Sequence, residues 1–419
     1  MDLSRGAPDH PRPGRVALDP RRGDELDPTD TALDARTLLA VALVIAAILV
    51  AYVASRRFLG IDLEVYRLGA KALLARRNPY VEGLAGSPAP YSYTPFSTVL
   101  FVPLQWLSLP AALAVMTFLS LAAMWWTLRV LLAHAFPEWD QLRRDQAAAA
   151  ACALALLTEP VTENLGFGQI NLLLMALVVT DLLVVRTEGR RGWLIGLATG
   201  VKLTPGIFVL YLLVTRRYRA AGNAAVATMA TVALGWVAMP AGSRSYWLDG
   251  IGADPRHIGD TQYLPNQSLL GSLSRIVGGY ATARAWWLVA AALVVVVGMW
   301  TARRARDLWG EADGVAVMAV VGLVVSPVSW SHHWVWYLAP AVLLAARVVH
   351  HRGRLAGAAL GAVALSVALS PFWWIPEVRR RTVQHSVLES VIGSWYTIVA
   401  IVGLTVTAAV TYRSSTRRR

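Results

Sequence analysis

The sequence predicts an all-α polytopic membrane protein, and three observations carry that prediction. Of its 419 residues 56% are hydrophobic and only 16% are charged, too little charge to clothe a soluble protein of this size. Apolar runs long enough to cross ~30 Å of hydrocarbon recur along most of the chain. Arginines gather in the short connections between those runs, as the positive-inside rule requires of cytoplasmic loops.

That distribution also decides what the net charge of +13 means. The charge belongs to membrane topology, and nucleic acid is not an expected partner; the bilayer is. Only Lys71 and Lys202 are lysines. The single cysteine, Cys152, excludes an intrachain disulfide and any cysteine-based metal site.

Taken in order, residues 1–35 are rich in Pro, Asp and Arg and have no apolar core near Met1. They read as a disordered cytoplasmic tail, not a signal peptide, so the run at 38–54 is an uncleaved anchor. A transmembrane catalytic domain over 36–412 follows, then a basic cytoplasmic tail at 413–419. Hydropathy places spans at 37–55, 111–133, 147–158, 169–185, 220–241, 284–301, 314–327, 334–349, 355–370 and 390–411. The run at 95–109 is interrupted by Pro103, and 193–215 is interrupted by GVKLTP at 200–205. Both basic loops flanking 193–215 fall on one side only if that segment is a hairpin broken at its centre. About 10–12 transmembrane helices with re-entrant or broken segments result. With both termini cytoplasmic, the outer face receives loops 56–94, 242–283 and 371–389. Arg379, Arg380 and Arg381 depart from the positive-inside pattern there.

On this topology most unusual polar motifs face outward. Asp62, Glu64 and Arg67 follow the first span, in FLGIDLEVYRLGAKALLARRNPY at 58–80. A carboxylate at such a boundary loses solvation and persists only where water, partners or a function keep it. Asp62 reads either as a general base or as the N-cap of an amphipathic surface helix. Tyr93 opens the next segment. Asn164 precedes GFGQIN, which holds Gln169 and Asn171; these polar groups serve as helix caps or as ligand contacts. Lys202 snorkels to an interface or, at a helix break, binds an anion. Asn266 and Gln267 lie in the long loop. His332 and His333 close SPVSWSHH; adjacent histidines do not share a helix face, which argues against a two-histidine metal site.

The ordered series DLEVY, YTP, GQIN, KLTP, NQS and SPVSWSHH resembles glycosyltransferase family 87 over residues 62–349. These are GT-C fold enzymes of the polyprenyl-phosphate-mannose-dependent α-1,2-mannosyltransferase type. The resemblance implies that Asp62 is the catalytic aspartate, that His332 or His333 is the family histidine, and that Lys202 is the KLTP lysine. Glu64, Arg67, Tyr93, Asn164, Gln169, Asn171, Asn266, Gln267 and Arg379 then stand as candidate substrate contacts. It further implies inverting mannosyl transfer from a polyprenyl-phosphate sugar to a glycolipid or glycan hydroxyl, at the outer face of the plasma membrane. No cofactor and no metal is expected. A polyprenyl-phosphate-arabinose-dependent arabinofuranosyltransferase shares these motifs and stays open, as does a lipid or solute transporter. A transporter, however, predicts internal repeats and charges at mid-membrane.

Overall fold

The computed structural model describes residues 60–416 apart from 85, 88, 382 and 383. The N-terminal tail and the first expected span lie outside the described residues.

Helix α1 (Ile61–Leu74) carries Asp62 in its first turn. Its N-cap is Gly60, in the left-handed region, so Asp62 is not the cap. The interrupted run that follows breaks into short pieces beginning with α2 (Pro95–Leu100). Next come α3 (Leu109–Ala135) and α4 (Gln141–Ala155). Helices α5 (Glu159–Phe167) and α6 (Asn171–Val179) meet at a sharp bend. Helix α7 (Trp193–Val201) stops before Lys202 and α8 (Ile207–Val214) resumes after the Thr204–Gly206 turn. The rest of the bundle is α9 (Tyr218–Ala238), α10 (Leu269–Val277), α11 (Tyr280–Trp309), α12 (Glu311–Val325), α13 (Leu338–His351), α14 (Arg354–Leu369) and α15 (Trp395–Thr416).

Among the described residues, five helical segments are long and apolar enough to cross a membrane: α3, α9, α11, α14 with its extension to Trp374, and α15. The bent pair formed by α5 with the helix continuing from Asn171 to Val184 makes a sixth if counted as one span. Apolar side chains such as Trp286, Val289, Leu293 and Val296 on α11 are exposed. In an aqueous protein such a patch is a liability, whereas against lipid it is the expected outer surface. The chain is therefore a multi-pass membrane protein.

Three of the expected crossings are carried by short helices. Helices α4, α12 and α13 hold 15, 15 and 14 residues, about 21–23 Å of helix against ~30 Å of hydrocarbon. Most of α12 is buried among other helices, so protein and not lipid sets its length. A turn of tighter helix over Ser331–Tyr337 leads into α13.

Two backbone devices hold the site in place. Gly192, Gly196 and Gly200 form a stripe at four-residue spacing along α7. A Cβ at Gly192 would lie 2.0 Å from the carbonyl oxygen of Ala220, and one at Gly196 would lie 2.4 Å from that of Ala224. Only a side-chain-free face lets α7 and α9 approach so closely, the usual route to tight packing in lipid. The second device is the bend of 113° between α5 and α6. Gly168 sits there at φ 67°, a conformation glycine adopts without strain, and a Cβ would meet Leu63 Cβ at 2.7 Å. Gly60 N donates to Gly166 O at 2.9 Å, which seats the start of α1 on the bend.

Candidate active site

Because α1 rests on that bend, Asp62 is delivered to Gln169. Gln169 Nε2 donates to Asp62 Oδ2 at 2.6 Å and to the Tyr93 hydroxyl at 2.9 Å. Tyr66 donates its hydroxyl proton to Gln169 Oε1 at 2.9 Å. Both ends of the amide are therefore committed, and in this arrangement Gln169 presents Asp62 with a donor. Tyr66 is held in turn by stacking on Phe101, with ring centroids 4.2 Å apart.

A second group of side chains faces the same space. The break after α7 leaves Lys202 in extended backbone. Its Nζ donates to Asn171 Oδ1 at 2.8 Å and to His333 Nε2 at 3.0 Å. When Lys202 is an ammonium it only donates, and His333 Nε2 is then the acceptor, with the ring proton on Nδ1. Asn171 Nδ2 reaches Asn164 Oδ1 at 3.1 Å and the His332 carbonyl at 3.3 Å. Asn164 Nδ2 in turn donates to the Gln169 carbonyl at 3.3 Å, closing the bend from inside. Thr94 Oγ1 donates to the Gly200 carbonyl and fixes the loop bearing Tyr93 against the end of α7.

His332 Nε2 stands 3.8 Å from Asp62 Oδ2, beyond hydrogen-bond range, and is buried without a partner. Asp62 and the histidine pair, far apart in sequence, thus belong to one cluster. Burial pushes the Asp62 carboxyl up to about 6, with the Gln169 hydrogen bond and the Lys202 ammonium opposing that rise. Burial and the nearby Lys202 hold both imidazoles well below the usual histidine range. At neutral pH the arrangement is one ionised carboxylate and two neutral imidazoles.

These groups line a cavity of about 940 Å³. Asp62, Tyr93, Gln169, Lys202, His332 and His333 all reach it. Asn164 and Asn171 brace it from behind. The other candidates do not line it. Glu64 pairs with Arg67, whose guanidinium also donates to the Leu104 and Leu107 carbonyls at 3.1 and 2.6 Å. Asn266 Oδ1 accepts from Ser329 N at 3.0 Å, and Gln267 braces α15 by accepting from Tyr396 N at 3.0 Å. Arg379 pairs with Glu389 at 2.8 Å. The lining instead includes Asp260, Tyr263, Glu377, Arg380 and Arg381. Arg380 and Arg381 were signalled by their misplaced charge; nothing in the sequence marks out Asp260 or Tyr263. Among the described residues no cluster of His, Cys, Asp or Glu is arranged to hold a metal.

Residues 91–327 match the model of glycosyltransferase family 87. A polyprenol-phosphate-mannose-dependent α-(1-2)-phosphatidylinositol mannoside mannosyltransferase of Mycobacterium tuberculosis is 35% identical over 408 residues, 92% of this chain and 95% of that protein. The chain belongs to glycosyltransferase family 87. A like-named enzyme of Mycolicibacterium smegmatis is 35% identical over 377 residues, 82% of this chain and 83% of its own length. A phosphatidylinositol pentamannoside mannosyltransferase of the same species is 32% identical over 282 residues, 66% and 67% of the two chains. This member of family 87 is accordingly a membrane glycosyltransferase. The family match holds Tyr93, Gln169 and Lys202 but starts after Asp62 and ends before His332. Contacts within the fold therefore close a cluster that the matched segment leaves open.

Proposed function

We propose that this glycosyltransferase moves a mannosyl residue from polyprenyl phosphate mannose to a hydroxyl of a phosphatidylinositol mannoside or related glycolipid. The acceptor oxygen attacks the anomeric carbon from the face opposite the phosphate. The bond from that carbon to the phosphate oxygen breaks, its electron pair leaves with polyprenyl phosphate, and the acceptor proton passes to the Asp62 carboxylate. Configuration inverts, and an α-1,2 linkage forms. A base near neutral pH with access to the cavity is what this step needs, and a carboxylate raised to about 6 suits it. Lys202 takes up the charge developing on the leaving phosphate, and His333 and Asn171 hold its ammonium in position.

One observation carries the reading: Asp62 and the Lys202–His333 pair face a single cavity, with His332 3.8 Å from the carboxylate. The names of the relatives support mannose as the sugar and a glycophospholipid as the acceptor. We place the reaction at the extracytoplasmic face of the plasma membrane, because the basic connections mark the opposite side. Incubating membranes that contain the enzyme with radiolabelled polyprenyl phosphate mannose and phosphatidylinositol mannoside should yield a labelled glycolipid with a 2-linked mannose. Sealed spheroplasts should give the same product from acceptor supplied outside. Transfer from a polyprenyl phosphate arabinose donor alone would overturn the assignment of the sugar.

A further inference from the structure

Arg379, Arg380 and Arg381 break the charge pattern of the chain, and the step just described uses none of them. The structure separates the three. Arg379 is neutralised by Glu389 at 2.8 Å. Arg381 is exposed beside Glu377, at 3.0 Å. Arg380 is 7% exposed and makes no ion pair among the described residues. Its Nη1 donates to the Trp373 carbonyl at 3.0 Å and to the Ile375 carbonyl, and its Nε is buried with no hydrogen-bond partner. The guanidinium carbon lies 4.9 Å from the centre of the Trp373 ring.

A buried cation without a counter-ion is costly, and proteins usually arrange one. Arg191 pairs with Glu188, whereas Arg275, with no ion pair among the described residues and an unpartnered Nε of its own, is wrapped by the Tyr263, Asn266 and Gly393 carbonyls. Arg380 differs because it lines the cavity, together with Arg381. It also sits only six residues beyond the span that ends at Trp374.

Among the described residues Arg380 makes no hydrogen bond or ion pair with Asp62, Lys202, His332 or His333. The contacts that join it to Asp62 run through His332 to Ser331, then to Glu159, which hydrogen-bonds Ser331 and accepts from Trp373 Nε1 at 2.8 Å, and from Trp373 to Arg380. A leaving phosphate must stay within bonding distance of the anomeric carbon, beside Asp62 and Lys202. A cation that lines the same cavity and contacts neither of them suits a second anion that does not react.

We propose that Arg380 and Arg381 form a subsite for the phosphodiester of the acceptor glycolipid, holding its headgroup at one end of the cavity while its sugar reaches Asp62 at the other. This rests on the acceptor assigned under Proposed function. Planar guanidinium groups match phosphate oxygens in pairs, which a lone ammonium does not. Trp373 holds Arg380 in place, so little side-chain freedom is lost on binding.

The test uses the purified full chain in nanodiscs with two probes, phosphatidylinositol mannoside and a neutral alkyl α-mannoside. Equilibrium binding of each is measured without donor, then transfer with polyprenyl phosphate mannose. Arg380→Gln and Arg381→Gln should each weaken the phosphodiester ligand about tenfold, the size of one charge-assisted contact. The alkyl mannoside and the donor KM should stay within about twofold of wild type. Arg380→Lys, which keeps the charge and loses the fork, should recover part of the affinity. Equal weakening of both acceptors would reduce Arg380 to a strut for the loop. A raised donor KM with unchanged acceptor binding would assign the arginines to the donor phosphate. A wild type that binds both acceptors equally would also overturn the subsite. Binding needs no donor, so absence of mannosyl transfer by the wild type would sink the functional reading while the binding series still decides the subsite.

Discussion

Two carboxylates in this protein are hidden to almost the same degree and are treated in opposite ways. Glu311, at the start of α12, keeps 18% of its side chain exposed, and Asp62 keeps 21%. Arg217 grips Glu311 with both nitrogens, at 2.7 and 2.6 Å, while Tyr211 donates at 2.6 Å and Arg306 at 2.9 Å. Both oxygens are saturated by cations and a hydroxyl. Asp62 receives one neutral donor at 2.6 Å and has an unpartnered imidazole nitrogen 3.8 Å away. The first cluster has nothing left to offer a ligand. The second keeps lone pairs and an ionisable proton facing a cavity, at the expense of fold stability. Burial alone does not mark a functional charge; incomplete pairing beside open space does.

The strongest way to break the comparison is to remove each carboxylate's charge in turn. Asp62→Asn preserves the shape and removes a charge that burial disfavours, so thermal unfolding should not fall below the wild-type temperature. Transfer should fall by ~10³-fold or more, the loss expected when a positioned base is deleted. Residual turnover above a tenth of wild type would take the base role away from Asp62. Next in size is Lys202→Met. Single-turnover transfer should fall by ~10²-fold, as when one donor to a developing anion is lost. Donor use should suffer more than acceptor use; equal effects on both would detach Lys202 from the phosphate.

Glu311→Gln tests the other half of the contrast. The amide leaves Arg217 and Arg306 facing a partner without charge inside the bundle, at a cost of about 2 kcal/mol. The unfolding temperature in detergent should drop, while the rate per folded molecule stays within about twofold of wild type. A variant that keeps its stability and loses transfer would mean that the two clusters do not divide the work as their pairing suggests.

How much of this was readable beforehand follows from what each signal depends on. Composition and apolar runs announce a membrane bundle, because lipid imposes them on every span. The break at Lys202 was legible because Gly200 and Pro205 interrupt an apolar helix wherever they occur. Asp62 stood out as a charge at a boundary. The runs at 147–158, 314–327 and 334–349 already read as short, and α4, α12 and α13 are short helices; for α12, burial by protein relaxes the length that lipid demands. Asn266 and Gln267 show a limit. An amide reads the same in sequence whether it meets a sugar or, as here, the backbone of Ser329 and Tyr396. The Arg379–Arg381 run was visible as an anomaly, but which arginine turns inward depends on Glu389 capturing Arg379. Tyr66, the hub that orients Gln169, was visible only as the last residue of DLEVY, which does not say what its hydroxyl meets.

The smallest expected effect bears on how Asp62 is tuned. Its carboxyl is pushed up to about 6 by burial, and the Gln169 donor works against that push. The proposed base role needs the ionised form, so kcat/KM should fall roughly tenfold for each pH unit below about 6. Gln169→Leu deletes the donor that favours the carboxylate and leaves the burial. The carboxyl must then rise further, and the acidic limb should move up by about one pH unit, the worth of one charge-assisted hydrogen bond. Loss of geometry has a different signature, because a misplaced carboxylate is slow at every pH. Recovery of the variant toward wild-type rates at alkaline pH would identify Gln169 as the group that sets the charge of Asp62. A uniform loss with an unmoved limb would make it a strut for the bend at Gly168.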